Sequence, residues 1–276
     1  MSAQMMQLAE INGTRFEILD TGSGEPVMFI HGTGSIGCHA ILEQPLLKNH
    51  YRLLHNHRRG FGRSEGRNVQ VGIEQEAADC REVLKHLNIE RAHFAGLSAG
   101  AIVLLQYASD YPDTVQSAAL FEPPLPEVLA RSPESVQSDE RVASLYQSGD
   151  LNGMVATFLE EVDGADYYRK MGSHLAPGWF QQMVDDIPAI VERELPALDS
   201  WTFGDEDAAK ISAPVLNVVG SETRPYFHDC YRQVQSWIPH AETAVVPDAT
   251  HVMLLSKPRE CAELLTDFFS RHPIQK

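Results

Sequence analysis

Gly96-Leu97-Ser98-Ala99-Gly100 sets a serine between two glycines, after the short apolar run Arg91-Ala92-His93-Phe94-Ala95 and before the helical pattern Ala101-Ile102-Val103-Leu104-Leu105. A serine on so sharp a strand-to-helix turn presents its hydroxyl as a nucleophile. The glycines are needed because a Cβ at either position would collide with the neighbouring strand or helix. Ala99 opens the helix, where its backbone N–H can hold a developing oxyanion. Gly, Ser and Ala are common, so the pentapeptide alone proves little and its partners must decide. A serine hydroxyl is a weak nucleophile at neutral pH and needs an adjacent base, itself oriented by a third group.

The base candidate is His251, in the loop Pro247-Asp248-Ala249-Thr250-His251-Val252-Met253 between a late strand and the last helix. It follows the serine and every candidate acid, giving the chain order Ser…acid…His. A second candidate region is His31-Gly32-Thr33-Gly34, which ends the apolar run Val27–Ile30 and can aim another backbone N–H at the oxyanion. His31 itself reads as a structural hydrogen-bonding group rather than a base. With Trp179 and Tyr226 it is counted among the residues that could touch a substrate.

These groups need a frame. Leu8–Ile11 and Thr14–Ile18 flank Asn12-Gly13, a strong hairpin signal. Val27–Ile30, Tyr51–Leu54, Ala92–Ala95, Val115–Phe121 and Val215–Val219 are apolar runs suited to strands buried on both faces. Between them lie helical patterns, such as the Cys80, Val83, Leu84, Leu87 stripe within 73–87. Strands alternating with helices predict an α/β fold with a parallel sheet and helices on both faces. From Pro123 to about Asp207 the alternation stops, and helical patches without a strand predict an insertion. The alternation then resumes with a helix near 226–237, a strand at 243–246 and a final amphipathic helix carrying Cys261, Leu264, Leu265 and Phe268.

The 276 residues suit one large α/β unit, and 43% hydrophobic content supplies its core. A net charge of −16 disfavours nucleic acid and anionic membranes as partners, since both demand a positive patch. No apolar run is long enough to span a bilayer, and the stretch Met1–Gln7 lacks the pattern of a secretory leader. Cys38, Cys80, Cys230 and Cys261 have no C-x-x-C spacing and read as buried free thiols, which points to a cytoplasmic protein. Arg58, Arg59, Arg63 and Arg67 read as loop structure. His55 and His57 could share a strand face, but no metal-binding pattern accompanies them, so no metal is expected.

Taken in order, His31-Gly32, Arg59-Gly60-Phe61-Gly62-Arg63-Ser64, Gly96–Gly100 and His251 make the chain resemble the α/β-hydrolase superfamily over nearly its whole length. The resemblance implies a mostly parallel eight-stranded sheet and no cofactor. It also implies a core of 1–122 and 208–276, with 123–207 as a helical cap lining the substrate pocket. By analogy, the N–H groups of Ala99 and Thr33, or of Gly32, would form the oxyanion hole. The acid departs from the usual pattern. Where relatives place an Asp three residues after the glycine ending the seventh strand, Gly220-Ser221-Glu222-Thr223 offers Thr223. Glu122, directly after the sixth strand in Phe121-Glu122-Pro123-Pro124, is preferred, as in enzymes resembling zearalenone lactonase; Glu222 is the alternative.

The expectation is a cofactor-free serine hydrolase of small carboxylic esters or lactones, working through Ser98, His251 and Glu122 by an acyl-enzyme. The rivals are a C–C bond hydrolase or perhydrolase with the same triad, or a ligand receptor built on a hydrolase scaffold. Both monomer and homodimer remain open.

Overall fold

The computed structural model describes residues 6–275, so the leader reading at Met1 to Met5 lies outside the described residues. Eight strands form one sheet: β1 (Gln7–Ile11), β2 (Thr14–Gly22), β3 (Glu25–Ile30), β4 (Tyr51–Asn56), β5 (Ala92–Leu97), β6 (Val115–Phe121), β7 (Val215–Gly220) and β8 (Glu242–Val246). Their order is β1-β2-β4-β3-β5-β6-β7-β8. The first hairpin turns at Asn12-Gly13, both at positive φ, pairing Ile11 with Thr14. β2 runs antiparallel to β4, and every pairing from β4 through β8 is parallel.

The longer helices are α1 (Ile73–His86), α2 (Ala99–Asp110), α3 (Pro133–Ser148), α4 (Leu151–Asp163), α5 (Trp179–Ala189), α6 (Pro225–Trp237) and α7 (Pro258–Arg271). Successive strand residues point to opposite faces, and the core divides accordingly. Met28, Ile30, Phe94, Ala118 and Leu120 pack with Cys80, Val83 and Leu84 of α1 and Ile102 and Leu105 of α2. Val27, Phe29, Ala95, Leu97, Ala119 and Phe121 pack on the other face with Cys261, Leu265, Phe268 and Phe269 of α7. Each fully buried Val, Leu, Ile, Phe or Met among them stabilises the fold by about 1.5–3 kcal/mol. All four cysteines are buried and free.

Between β6 and β7 the described chain forms helices joined by short turns and coil, with no strand among the described residues. α4 and α5 form a third apolar cluster that rests on the sheet's loops through Ile36, Ala40, Val252 and Leu255. Pro188 sits inside α5, where it can donate no backbone hydrogen bond, and the helix continues as a π-helical turn at Ile190–Glu194. No helix among the described residues is long and apolar enough to cross a membrane.

Candidate active site

The sequence-derived candidates gather at the carboxyl ends of the parallel strands, where open α/β sheets place their ligands. Gly32 and Thr33 follow β3, Ser98 follows β5, Glu122 follows β6 and His251 follows β8. The backbone is strained there. Ser98 (φ 54°, ψ −127°), Glu122 (φ 46°) and Asp248 (φ 51°) are three of the five non-glycine residues at positive φ among the described residues. The other two, Asn12 and Asn88, are of the type that tolerates this region. Such strain persists where the surrounding packing holds it, and of the three, Ser98 lines a cavity.

Close approach explains the glycines. A Cβ on Gly96 would lie 2.5 Å from Gly100 O and 2.9 Å from Ala101 Cα, and one on Gly100 would meet the carbonyls of Ile30 and His31. A Cβ on Gly32 would sit 2.9 Å from Ser98 Cβ. Ser98 N–H donates to Phe121 O at 2.9 Å, tying the turn to β6, while Ser98 O accepts from Ala101 N–H at 2.7 Å and starts α2. Ala99 is the first residue of α2, so its N–H has no intrahelical partner and adds to the positive end of the helix dipole.

His251 Nδ1 lies 2.7 Å from Glu122 Oε2, and both side chains are buried. The carboxylate fixes the proton on Nδ1, leaving the Nε2 lone pair as acceptor. Glu122 is itself held: Oε1 accepts from Gly220 N–H at 2.7 Å, and Oε2 accepts from the Thr223 hydroxyl at 2.9 Å. Glu222 is exposed, with Ser221 Oγ 3.4 Å from its carboxylate. The structure thus brings Glu122, and not Glu222, to the histidine. The imidazole also stacks on Phe227 of α6, with centroids 3.9 Å apart and planes 10° from parallel. Nothing in the sequence pattern singled out Phe227.

The end of α4 grips the histidine loop. His251 N–H donates to Val162 O at 3.3 Å, and Thr250 Oγ1 donates to Asp163 Oδ1. Burial pushes the Asp163 carboxyl up from its ordinary value, against the pull of Thr250, Lys170 and His251.

The second oxyanion candidate is oriented through its peptide plane. Gly32 O accepts from His31 Nδ1 at 2.8 Å and from Arg58 Nη2 at 2.9 Å. In a trans peptide the carbonyl and the following N–H point in opposite directions. Holding Gly32 O inward therefore turns Thr33 N–H outward, and Thr33 lines the same cavity as Ser98 and His251.

That cavity measures about 350 Å³. Its walls are mostly apolar, with Leu129, Val142, Met154, Val155, Phe158 and Ile187 among them, and Tyr226 contributes a phenol. Among the described residues no lysine or arginine lines it, whereas Asp139, Glu161 and Asp199 do. A recess of about 30 Å³ beside Ser98, formed with Gly32, Ile36 and Met171, offers room for a water or a methyl group.

Two expected substrate contacts fall elsewhere. Trp179 packs on Tyr168 and Phe180 inside the helical layer and does not line the cavity. His31 is fully buried; its Nδ1 faces Gly32 O and its Nε2 accepts from Arg58 N–H at 2.8 Å, so neither ring nitrogen is free for a ligand. Burial and the Arg58 charge push its pKa well below the ordinary value. His55 and His57 meet edge to face near it, centroids 5.5 Å apart, with His57 Nδ1 2.8 Å from Glu17 Oε2. The arginine run is neutralised locally: Arg58 by Glu76 and Glu194, Arg59 by Asp79 and Arg63 by Glu17.

Comparison with known proteins bears on the fold. Residues 25–258 match the family model described as alpha/beta hydrolase fold. Among solved structures, the chain is similar to a thermophilic esterase from Thermogutta terrifontis, with TM-score 0.79, 21% identity and coverage of 97% of this chain and 100% of that one. It is similar to Est816, described as an N-acyl homoserine lactone degrading enzyme (TM-score 0.75, 24% identity, 95% and 100% covered). It is also similar to the enol-lactonase from Burkholderia xenovorans LB400 (TM-score 0.73, 20% identity, 96% and 100% covered).

Proposed function

Because the chain belongs to the α/β-hydrolase fold family, we propose that it is a serine hydrolase cleaving small, uncharged carboxylic esters or lactones. The observation that carries the proposal is the 2.7 Å contact of His251 Nδ1 with Glu122, on a histidine that shares an apolar cavity with Ser98.

In this reading Ser98 Oγ attacks the carbonyl carbon and gives its proton to His251 Nε2. Glu122 keeps Nδ1–H in place and stabilises the imidazolium. The carbonyl oxygen, now an oxyanion, accepts hydrogen bonds from Ala99 N–H and Thr33 N–H; one such donor is worth about 10²–10³ in rate. Collapse expels the alcohol, which takes the proton from His251 and leaves an acyl-enzyme. Water then repeats the sequence, releasing the acid and restoring Ser98. From a lactone the product is the hydroxy acid. No step requires a cofactor.

The apolar walls favour an apolar acyl or alkyl group, and with no lining cation among the described residues a carboxylate-bearing substrate would find no partner there. Ser98→Ala tests the mechanism. Turnover of 4-nitrophenyl butyrate should vanish while the thermal transition stays within a few degrees of wild type. Undiminished turnover in a folded Ser98→Ala would refute it.

A further inference from the structure

The loop Gly32–Ser35 contains Gly32 and Gly34, so its own backbone does little to fix the direction of Thr33 N–H. Its anchors come from outside, and two of them come from the helical segment between β6 and β7. At the near end, Arg58 Nη2 reaches Gly32 O at 2.9 Å and Arg58 Nε reaches His31 O at 3.1 Å. The same guanidinium is ion-paired with Glu194 of the π-helical turn and with Glu76 of α1, and Glu76 also takes Arg193 Nη1 at 2.6 Å. At the far end, Asp186 Oδ2 of α5 accepts from Ser35 N–H at 2.8 Å and from Ser35 Oγ–H at 2.7 Å. Arg58, Glu76, Asp186, Arg193 and Glu194 are all buried, Asp186 completely. Between the anchors, Gly34 (φ 84°) has no room for a Cβ because Met183 of α5 stands against it.

Two buried carboxylates from one segment, Glu194 through Arg58 and Asp186 directly, therefore hold both ends of a glycine-containing loop in which Thr33 lines the cavity. Neither touches the cavity that holds Ser98. We propose that Asp186 and Glu194 are positioning residues for the oxyanion: seating of the helical segment on the sheet sets the direction of Thr33 N–H. The inference rests on the serine-hydrolase reading above. Glu194 acts through Arg58 on the Gly32 carbonyl, and Asp186 acts on Ser35, so loss of either loosens the Gly32–Thr33 peptide, which His31 Nδ1 then holds with one anchor fewer beside it. Substrate, bound mainly by the apolar walls, would be held as before. The transition state would lose its hydrogen bond.

The test compares Asp186→Asn, Glu194→Gln and the milder Ser35→Ala with wild type. Hydrolysis of 4-nitrophenyl butyrate is normalised to active sites titrated with a 4-nitrophenyl phosphate triester. Affinity is measured for an alkyl trifluoromethyl ketone, whose adduct with Ser98 places an alkoxide at the oxyanion position. A displaced donor predicts kcat per titrated site down by about 10–100-fold for the two carboxylate variants, with KM within about twofold. The ketone inhibition constant should rise by the matching factor, and Ser35→Ala should move both in the same direction by less. If either carboxylate variant fails to fold, Ser35→Ala and Arg58→Lys carry the comparison. Values of kcat per site and ketone affinity within twofold of wild type would overturn the proposal. So would a fall in kcat that leaves ketone affinity unchanged. Ser98→Ala runs in parallel: full activity there sinks the serine reading itself, whereas an inert Ser98→Ala with wild-type loop variants sinks only this inference.

Discussion

Thr223 Oγ1 donates a 2.9 Å hydrogen bond to Glu122 Oε2, the same oxygen that faces His251 Nδ1 at 2.7 Å. The loop after β7 thus supplies a neutral donor where a carboxylate is the common choice, and the charge comes instead from the end of β6. With Gly220 N–H on Oε1, Glu122 has a fixed partner on each oxygen. The loops after β6, β7 and β8 meet at this one carboxyl group.

The two glutamates should separate cleanly. Glu122→Gln puts an amide against Nδ1 and removes the charge that stabilises the imidazolium. It should lower kcat about 10³–10⁴-fold, as neutralising a triad acid does. Glu222→Gln, on an exposed side chain, should stay within twofold. Steady-state hydrolysis of a 4-nitrophenyl ester distinguishes them, and a collapse of kcat in Glu222→Gln alone would reverse the assignment.

Thr223→Val keeps the shape and deletes the hydroxyl. Glu122 then loses one of its donors, and the expected stability cost is about 1 kcal/mol. Activity should fall severalfold through kcat with KM unchanged, while Thr223→Ser should retain most of it. An unaltered kcat in the valine variant would show that Glu122 needs no help from this side.

Charge should govern substrate choice. Burial and then the Asp199 charge push the Asp139 carboxyl up from its ordinary value, so added negative charge is unwelcome there. The nearby cations Arg141 and Arg224 are already paired with Glu161 and Glu134. 4-Nitrophenyl butyrate should exceed 4-nitrophenyl hydrogen succinate in kcat/KM by about tenfold or more, equivalent to about 1.4 kcal/mol. Asp139→Asn should narrow the gap, and added salt should narrow it in the wild type. Equal rates for both esters would remove this part of the proposal.

Acid should destabilise the protein in two stages. Burial, with the neighbouring Arg58, His55 and His57 charges, drives His31 well below the ordinary 6.5; burial and His57 drive His55 in the same direction. Burial and His57 bring His39 to about 4, with Glu17 opposing. These rings stay neutral in the fold while the unfolded chain binds protons. Stability is therefore complete above about pH 6.5 and falls as pH drops from there toward 4, by about 1.4 kcal/mol per pH unit for each ring that stays neutral. Glu17 has burial pushing its carboxyl up, but the hydrogen bonds from His57 and Arg63 prevail and lower it to about 2. Its contribution is present above 4.5 and is lost between 4.5 and 2. Melting temperature measured from pH 8 to 4 should decline from near 6.5, and His39→Gln should flatten the upper part of that decline.

The local order of this protein was legible in its sequence because period and punctuation are local. Apolar runs marked the strands flanking Ser98, the Cys80 stripe marked α1, and Asn12-Gly13 marked the first turn. The Ser98 turn and the His251 loop could be picked out because their residue types have few other uses at those positions. The preference for Glu122 over Glu222 rests there on a resemblance and on the two prolines that follow it, not on any contact. Both are one carboxylate in a loop, and only the register of β6 against β7, with Glu122 bent to positive φ, brings one of them to the histidine. For the same reason Thr223, which by sequence stands where an acid is usual, has a role only through its hydroxyl on Glu122. Trp179 and His31 have the chemistry of substrate contacts, but packing turned one into the helical layer and closed the other behind Gly32. Phe227, Asp186 and Glu194 carried no signal, since a residue that works by holding another is defined by a distance across the fold. Sequence determined which groups could react; tertiary packing decided which of them meet, because contacts between residues tens to hundreds of positions apart depend on strand order and helix seating.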